Sequence, residues 1–127
     1  MLGDYEVIAF TQTTKPDEAR AFYRELLGLR IEEDDPFALV FRAGRTMLRI
    51  QKVPELTPVP FTVLGWNVPD IKATVADLSS KGVRFERYDG MLQDEAGIWL
   101  APSGARVCWF KDPDGNTLSL TQFPRSA

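Results

Sequence analysis

The sequence predicts an α+β fold built from two βαβββ modules that follow each other along the chain. The main indication is a glycine followed by apolar, basic, apolar and acidic residues, at 28–32 and again 54 positions later at 82–86. Each copy follows apolar residues at three- and four-residue steps, the spacing of an amphipathic helix. Each copy is also accompanied by short apolar runs that are typical of strands. We therefore expect one helix and four strands in each module.

The first module is expected at about residues 5–52. It begins with a strand-like run at 7–11, and the pair Pro16-Asp17 is typical of a helix start. Gly28 lies where that helix would end in a left-handed turn. Three strands are then expected at 28–32, 38–41 and 47–51, the last two joined by a turn that contains Gly44.

The second module, at about 61–123, repeats this order. A strand at 61–66 precedes the pair Pro69-Asp70, which again fits a helix start, and Gly82 fits the helix end. Strands follow at 82–86, 107–110 and 117–120, with a glycine-containing turn at 112–116. Trp66 is expected to pack under the second helix, because it alternates with Val63.

A proline-containing linker at 53–60 joins the modules, so the expectation is a single domain over 1–127. One helix can cover only one face of a module's sheet. Two modules side by side would form a curved eight-stranded sheet with the helices outside and a concave cleft, and clefts between modules are common ligand sites.

Composition excludes several classes of function. The 15 basic and 18 acidic residues give a net charge of -3 without a basic stripe, which argues against nucleic acid as a partner. No apolar run approaches the length of a membrane span or a signal peptide, and the single cysteine fits a reducing compartment. These observations predict a cytoplasmic protein. The chain contains no histidine, the commonest nitrogen ligand for transition metals.

Residues 21–29 (AFYRELLGL) and 110–120 (FKDPDGNTLSL) resemble the two signature stretches of the vicinal oxygen chelate superfamily. This superfamily includes glyoxalase I, extradiol dioxygenases, fosfomycin-resistance enzymes and bleomycin-binding proteins. The resemblance extends from about Val7 to Gln122. The resemblance implies the glyoxalase-like fold, a small-molecule partner and pairing of chains into a homodimer. It does not imply one activity, because the superfamily contains isomerases, transferases, oxygenases and non-catalytic binders.

In metal-dependent members, the resemblance places ligands on the first and last strands of each module. The corresponding residues here are Ala9 (or Ile8, one position away), Arg49, Val63 and Ser119. Arginine carries no acceptor for a cation and repels one, and the apolar side chains offer no donor atom. No metal and no cofactor are therefore expected.

Several residues are candidates for binding an organic ligand. In the strand at 47–51, alternation places Arg49 and Gln51 on the concave side, where Arg49 would bind a carboxylate or phosphate or form a salt bridge with Glu95 or Asp94. The loop at 89–102 could cap the cleft, with Trp99 either stacking on a flat ligand or packing in the loop. Cys108 and Trp109 alternate, so only one of them can face the cleft. The candidate set is Arg49, Gln51, Val63, Trp99, Glu95, Cys108 and Ser119.

Three functions fit this pattern. The first is a metal-free protein that binds a small anionic or aromatic molecule, as antibiotic-binding members of the superfamily do. The second is a lyase or isomerase similar to lactoylglutathione lyase, with an atypical metal or none, using Glu95, Asp94, Tyr88 or Cys108 for acid–base chemistry; no catalytic residue is assigned. The third is a dimeric interaction module with a vestigial cleft.

Overall fold

The computed structural model describes residues 1–125. It confirms the α+β fold, with two four-stranded mixed sheets. The chain divides into two compact units, of which the first covers Met1–Pro58 and the second begins at Val59. We call them module 1 and module 2. The boundary lies inside the predicted linker, in a stretch without helix or strand.

Module 1 follows the predicted order. A short 3₁₀ helix, Leu2–Asp4, precedes the first strand, and a π-helical turn, Phe22–Leu26, extends the first helix. Gly28 adopts a φ of 75°, so the predicted left-handed helix end is present. The sheet order is β1-β4-β3-β2, with β1 parallel to β4. Its elements are β1 (Ile8–Thr13), α1 (Pro16–Ala21), β2 (Arg30–Asp34), β3 (Ala38–Ala43) and β4 (Thr46–Lys52).

One face of the module 1 sheet packs under the helical segment. Tyr23 is fully buried and its ring lies 5.9 Å from the ring of Phe41. Phe41 pairs with Leu48 in the sheet, and Leu48 and Ile50 are both buried. Burying apolar side chains is the main stabilising contribution to such a core. We call this face of each sheet the helical face and the opposite one the distal face.

Module 2 has the sheet order β5-β8-β7-β6. Asp70 caps the second helix, because its carboxylate accepts the Ala73 N–H at 3.1 Å. The helix packs on the face that carries Leu118 and Leu120, where the Gln122 side chain accepts the Ile71 N–H. The elements are β5 (Thr62–Asn67), α2 (Ile71–Ser80), β6 (Trp99–Leu100), β7 (Arg106–Lys111) and β8 (Thr117–Gln122).

The predicted strand at 82–86 is wrong. Only Phe85 forms an isolated antiparallel bridge, with Phe110, and the Glu86 N–H donates to the Trp109 carbonyl at 2.8 Å. The chain then leaves the sheet and returns at β6, which pairs with the other end of β7. Two short segments therefore share the edge of β7 where one strand was expected.

None of the helices within residues 1–125 has the length and apolar character needed to cross a membrane.

Candidate functional site

Arg49 lies on the distal face of module 1. It pairs with Phe10 of β1 and Val40 of β3, and its side chain points away from the buried Leu48 and Ile50 on either side of it. The guanidinium is therefore on the face that the helix does not cover.

A hollow of about 350 Å³ surrounds Arg49. Arg42 lies in it and pairs with Glu32 at 2.8 Å, so the charge of Glu32 is already matched. Among residues 1–125, Arg49 forms neither an ion pair nor a side-chain hydrogen bond. The residue is half-buried, and its guanidinium keeps its donors for another partner. The hollow is lined by Glu32, Glu33, Val40, Arg42, Met47 and Arg49.

The carboxylate of Asp35 is close enough to Arg49 to be affected by its charge. The N–H groups of Phe37 and Ala38 donate to it at 2.8 and 2.9 Å. These two hydrogen bonds, with a smaller contribution from the charge of Arg49, hold the pKa of Asp35 below its usual value. The carboxylate of Asp35 therefore forms its hydrogen bonds within its own turn and not with Arg49.

Gln51 shares the distal face with Arg49, and its side chain accepts a hydrogen bond from Gln12 at 3.3 Å. Of the two assignments for the first ligand place, Ala9 lies on the helical face, because it pairs with the buried Leu48 and is two residues from the buried Thr11. Its neighbour Ile8, the other assignment, lies on the face of Arg49 and is 47% exposed.

Three aromatic side chains meet on the distal face of module 2. The ring of Trp109 lies 6.1 Å from that of Trp99 and 5.6 Å from that of Tyr88, which it meets edge to face. Trp99 and Trp109 are half-buried. We call Tyr88, Trp99 and Trp109 the aromatic cluster. Such rings can offer a flat apolar surface to a planar molecule.

The position of Trp109 is fixed by its strand and by a hydrogen bond. Its indole N–H donates to the Thr62 hydroxyl at 3.1 Å, and Trp109 pairs with Ser119 of β8. Ser119 is buried on this face beside Gly65, where an added Cβ would lie 2.5 Å from the Ser119 hydroxyl oxygen. Val63 lies at an irregularity of β5 and is 36% exposed.

Cys108 is not a residue of the distal face. It alternates with Trp109, pairs with Leu120 and is fully buried on the helical face. Burial raises the pKa of its thiol to about 12, because the surrounding apolar groups disfavour the thiolate. The structure therefore places Trp109, and not the candidate Cys108, on the distal face, and the same burial opposes the use of Cys108 in acid–base chemistry near neutral pH.

We expect Cys108 to resist thiol reagents in the folded protein. A thiol with a pKa of about 12 has almost no thiolate at neutral pH, and the thiolate is the reactive form. Titration with an aromatic disulfide reagent at neutral pH should give a slow reaction in buffer and rapid stoichiometric reaction in denaturant. Fast reaction of the folded protein, with no sign of unfolding by circular dichroism, would contradict the assignment.

Glu95 also lies away from the aromatic cluster. It lines a hollow of about 510 Å³ beside α2, together with the α2 residues Lys72, Val75, Ala76 and Ser79. Its neighbour Asp94 accepts the N–H groups of Ala96 and Ile98, both at 2.9 Å, and so shapes the loop. The role of Glu95 as a ligand-binding residue stays a prediction, and its part of the loop lies beside α2.

The side chain of Gln93 organises the loop that carries Tyr88. Its amide oxygen accepts the Tyr88 N–H at 2.8 Å, and its amide nitrogen donates to the carbonyls of Glu86 and Gly97 at 2.9 and 2.8 Å. Gln93 also forms an isolated bridge with Trp99. Gln93 thus holds the backbone of Tyr88 through its side chain and that of Trp99 through its own backbone. Burial, and secondarily the charge of Glu86, raises the pKa of the Tyr88 phenol.

The structure brings Arg49 and Gln51 together in module 1, and Trp99 and Ser119 together in module 2. Sequence reasoning did not choose Trp109 and did not single out Lys111, which shares its face. A signal was present, because Cys108 and Phe110 are apolar while Lys111 is charged. That alternation favours Cys108 and Phe110 in the core and Trp109 and Lys111 outside it.

A metal ion does not fit the places where the resemblance puts ligands. The residues there are Ile8 or Ala9, Arg49, Val63 and Ser119, which offer one hydroxyl, one cation and apolar groups. Elsewhere in residues 1–125, no three side chains of His, Cys, Asp or Glu come together in a way that could hold a metal.

Residues 8–120 match the family described as the Glyoxalase/Bleomycin resistance protein/Dioxygenase superfamily. A comparison with curated protein sequences gave no match. The three solved structures described next are each below 25% identity to this chain, so they establish the fold alone.

The bleomycin resistance determinant encoded on transposon Tn5 has a TM-score of 0.75 and 22% identity, over 95% of this chain and 99% of that one. TnmS3, an antibiotic binding protein from Streptomyces sp. CB03234, has a TM-score of 0.71 and 24% identity, over 94% and 96%. Lactoylglutathione lyase from Agrobacterium tumefaciens has a TM-score of 0.72 and 18% identity, over 93% and 92%.

Proposed function

Because this chain belongs to the Glyoxalase/Bleomycin resistance protein/Dioxygenase superfamily, we propose that it binds a small anionic or aromatic organic molecule without a metal ion. The proposed surfaces are the distal faces of the two sheets. Pairing of two chains into a homodimer is part of the proposal, since superfamily members are commonly dimeric. The concave cleft that the sequence predicts stays a prediction.

The observation that carries the proposal is Arg49. Arg49 is half-buried, its guanidinium forms no ion pair within residues 1–125, and the resemblance assigns a metal ligand to its position. Keeping a charge partly out of water without a partner is costly, and a carboxylate or phosphate can accept two parallel hydrogen bonds from arginine. The neighbouring Arg42 is occupied by Glu32, so Arg49 is the guanidinium in this hollow that is available to an anion.

The aromatic cluster favours a planar ligand. Trp99 and Trp109 each leave part of their surface exposed, and offset or edge-to-face packing on such rings is favourable beyond the apolar area buried. Two structures with the same fold are described as a bleomycin resistance determinant and an antibiotic binding protein. Antibiotics with planar aromatic parts are therefore reasonable first ligands to test.

A thermal-shift screen distinguishes this proposal from a metal-dependent lyase. Bound ligand at a hundredfold excess over its dissociation constant stabilises the folded state by roughly 2.7 kcal/mol, which gives a clear rise in Tm. Aromatic carboxylates, bleomycin-type antibiotics and divalent metals would be tested in parallel. A rise with organic anions but not with metals supports the proposal. A rise with a divalent metal alone, confirmed by stoichiometric metal in purified protein, would favour the lyase.

Replacing Arg49 by methionine is expected to weaken binding of a simple dicarboxylate such as succinate about tenfold, through loss of charge-assisted hydrogen bonds. Arg49→Lys should retain part of the affinity, because a lysine keeps the charge but not the fork of donors. Isothermal titration calorimetry at low salt measures these affinities.

Two variants of the same module control this experiment. Arg45→Met removes an exposed cation at the turn between β3 and β4 and should leave the affinity unchanged. Glu33→Gln removes an acid of the hollow and should raise the affinity, since a carboxylate there repels an anion. An Arg49→Met protein that binds succinate like the wild type would contradict the role of Arg49.

A further inference from the structure

Lys111 is a second cation on a distal face, in module 2. It is the last residue of β7 and pairs with Thr117 of β8. Its ammonium group donates to the Thr117 hydroxyl at 2.6 Å. The side chain is half-buried, and within the described residues this ammonium forms no ion pair with a carboxylate.

Lys111 lies next to the aromatic cluster. It is two residues from Trp109 on the same strand, and side chains two apart point to the same face, about 6–7 Å from each other along the strand. Their hydrogen-bond partners are also neighbours, because Thr62, which accepts from Trp109, pairs with Thr117, which accepts from Lys111. Ring and charge thus belong to one continuous surface.

The ammonium group of Lys111 has donors left for an anion. A lysine ammonium carries three donors, and Thr117 accepts one of them. The acid next to Lys111 in the sequence is Asp112, and its carboxylate accepts the N–H groups of Asp114 and Asn116. A half-buried cation without an acidic partner favours a negatively charged ligand group.

We propose that Lys111 binds the acidic substituent of a planar aromatic ligand whose ring packs on Trp109. This inference rests on the proposed function and deepens it, because it names the ligand class: an aromatic ring that carries a carboxylate, sulfonate or phosphate. The hollow around Arg49 belongs to module 1 and is tested by itself with succinate, which has no ring.

A matched pair of probes tests the charge by itself. 2-Naphthoate and 2-naphthamide have the same ring, and only the first is an anion at neutral pH. We expect the wild type to bind 2-naphthoate about tenfold more tightly than 2-naphthamide, measured by tryptophan fluorescence and calorimetry. In Lys111→Met the preference should fall to about one while the affinity for 2-naphthamide stays unchanged. Lys111→Arg should restore the preference.

Lys81→Met, which removes an exposed lysine after α2, is the matched control and should keep the wild-type preference. Arg49→Met should keep it too. A preference that survives in Lys111→Met, or that disappears in Arg49→Met instead, overturns the role of Lys111 and leaves the proposed function standing. Absence of binding of either probe to the wild type, with no organic anion active in the thermal-shift screen, overturns both.

Discussion

Replacing Trp109 by alanine is expected to lower the affinity for 2-naphthoate at least tenfold, equivalent to about 1.4 kcal/mol. The indole supplies the centre of the aromatic cluster, since both Trp99 and Tyr88 contact it. Trp109→Phe should retain part of the affinity, because a smaller ring still packs but lacks the N–H that Thr62 accepts. Calorimetry with each variant gives the affinities.

Two controls separate loss of the ring from loss of the fold. Phe123→Ala removes another exposed aromatic ring of module 2 and should bind 2-naphthoate like the wild type. Binding of succinate, assigned to Arg49 of module 1, should be unaffected by Trp109→Ala. If Trp109→Ala binds 2-naphthoate as tightly as the wild type, the aromatic cluster is not the ligand surface.

Replacing Asp112 by alanine is expected to lower the free energy of unfolding by about 3 kcal/mol. One carboxylate oxygen accepts the N–H groups of Asp114 and Asn116 at 3.0 and 2.9 Å, and the other accepts the Asn116 side-chain amide at 2.8 Å. Asp112 and Asn116 are both buried, so alanine would leave donors without a partner.

Urea denaturation measures this change. Asp112→Asn keeps one acceptor oxygen and should lose less stability than Asp112→Ala. Asp89→Ala, at an exposed position of the loop in module 2, should stay within about 0.5 kcal/mol of the wild type. An Asp112→Ala protein equally close to the wild type would show that the turn between β7 and β8 does not depend on this carboxylate.

The repeated order of elements was predictable because its signals are local. Gly82, with a φ of 95°, and the cap at Asp70 follow from residues next to them in sequence. Trp66 shares the face of the buried Leu120 and stacks with Phe110 at 6.4 Å, as its alternation indicated. Alternation likewise places Leu48 and Ile50 on the helical face and Arg49 on the distal face.

The errors concern choices that depend on distant partners. Residues 82–86 alternate like a strand, yet only Phe85 bridges β7, because the chain turns away into the loop. Cys108 differs from these cases, because its alternation with Phe110 and Lys111 was a local signal for a place in the core. The position of Glu95 depends on the path of its loop, which lies beside α2. Long-range register and loop path are set by tertiary packing, which one sequence pattern does not encode.

The interrupted edge of β7 makes the loop at 87–98 replaceable. The chain leaves that edge after Phe85 and Glu86 and rejoins it at Trp99 and Leu100, so both ends of the loop are fixed by the same strand. A loop closed on one strand can change in length without shifting the pairing of β7 with β8. Because the segment carries Tyr88 of the aromatic cluster, a redesigned loop could change ligand choice on an unchanged sheet.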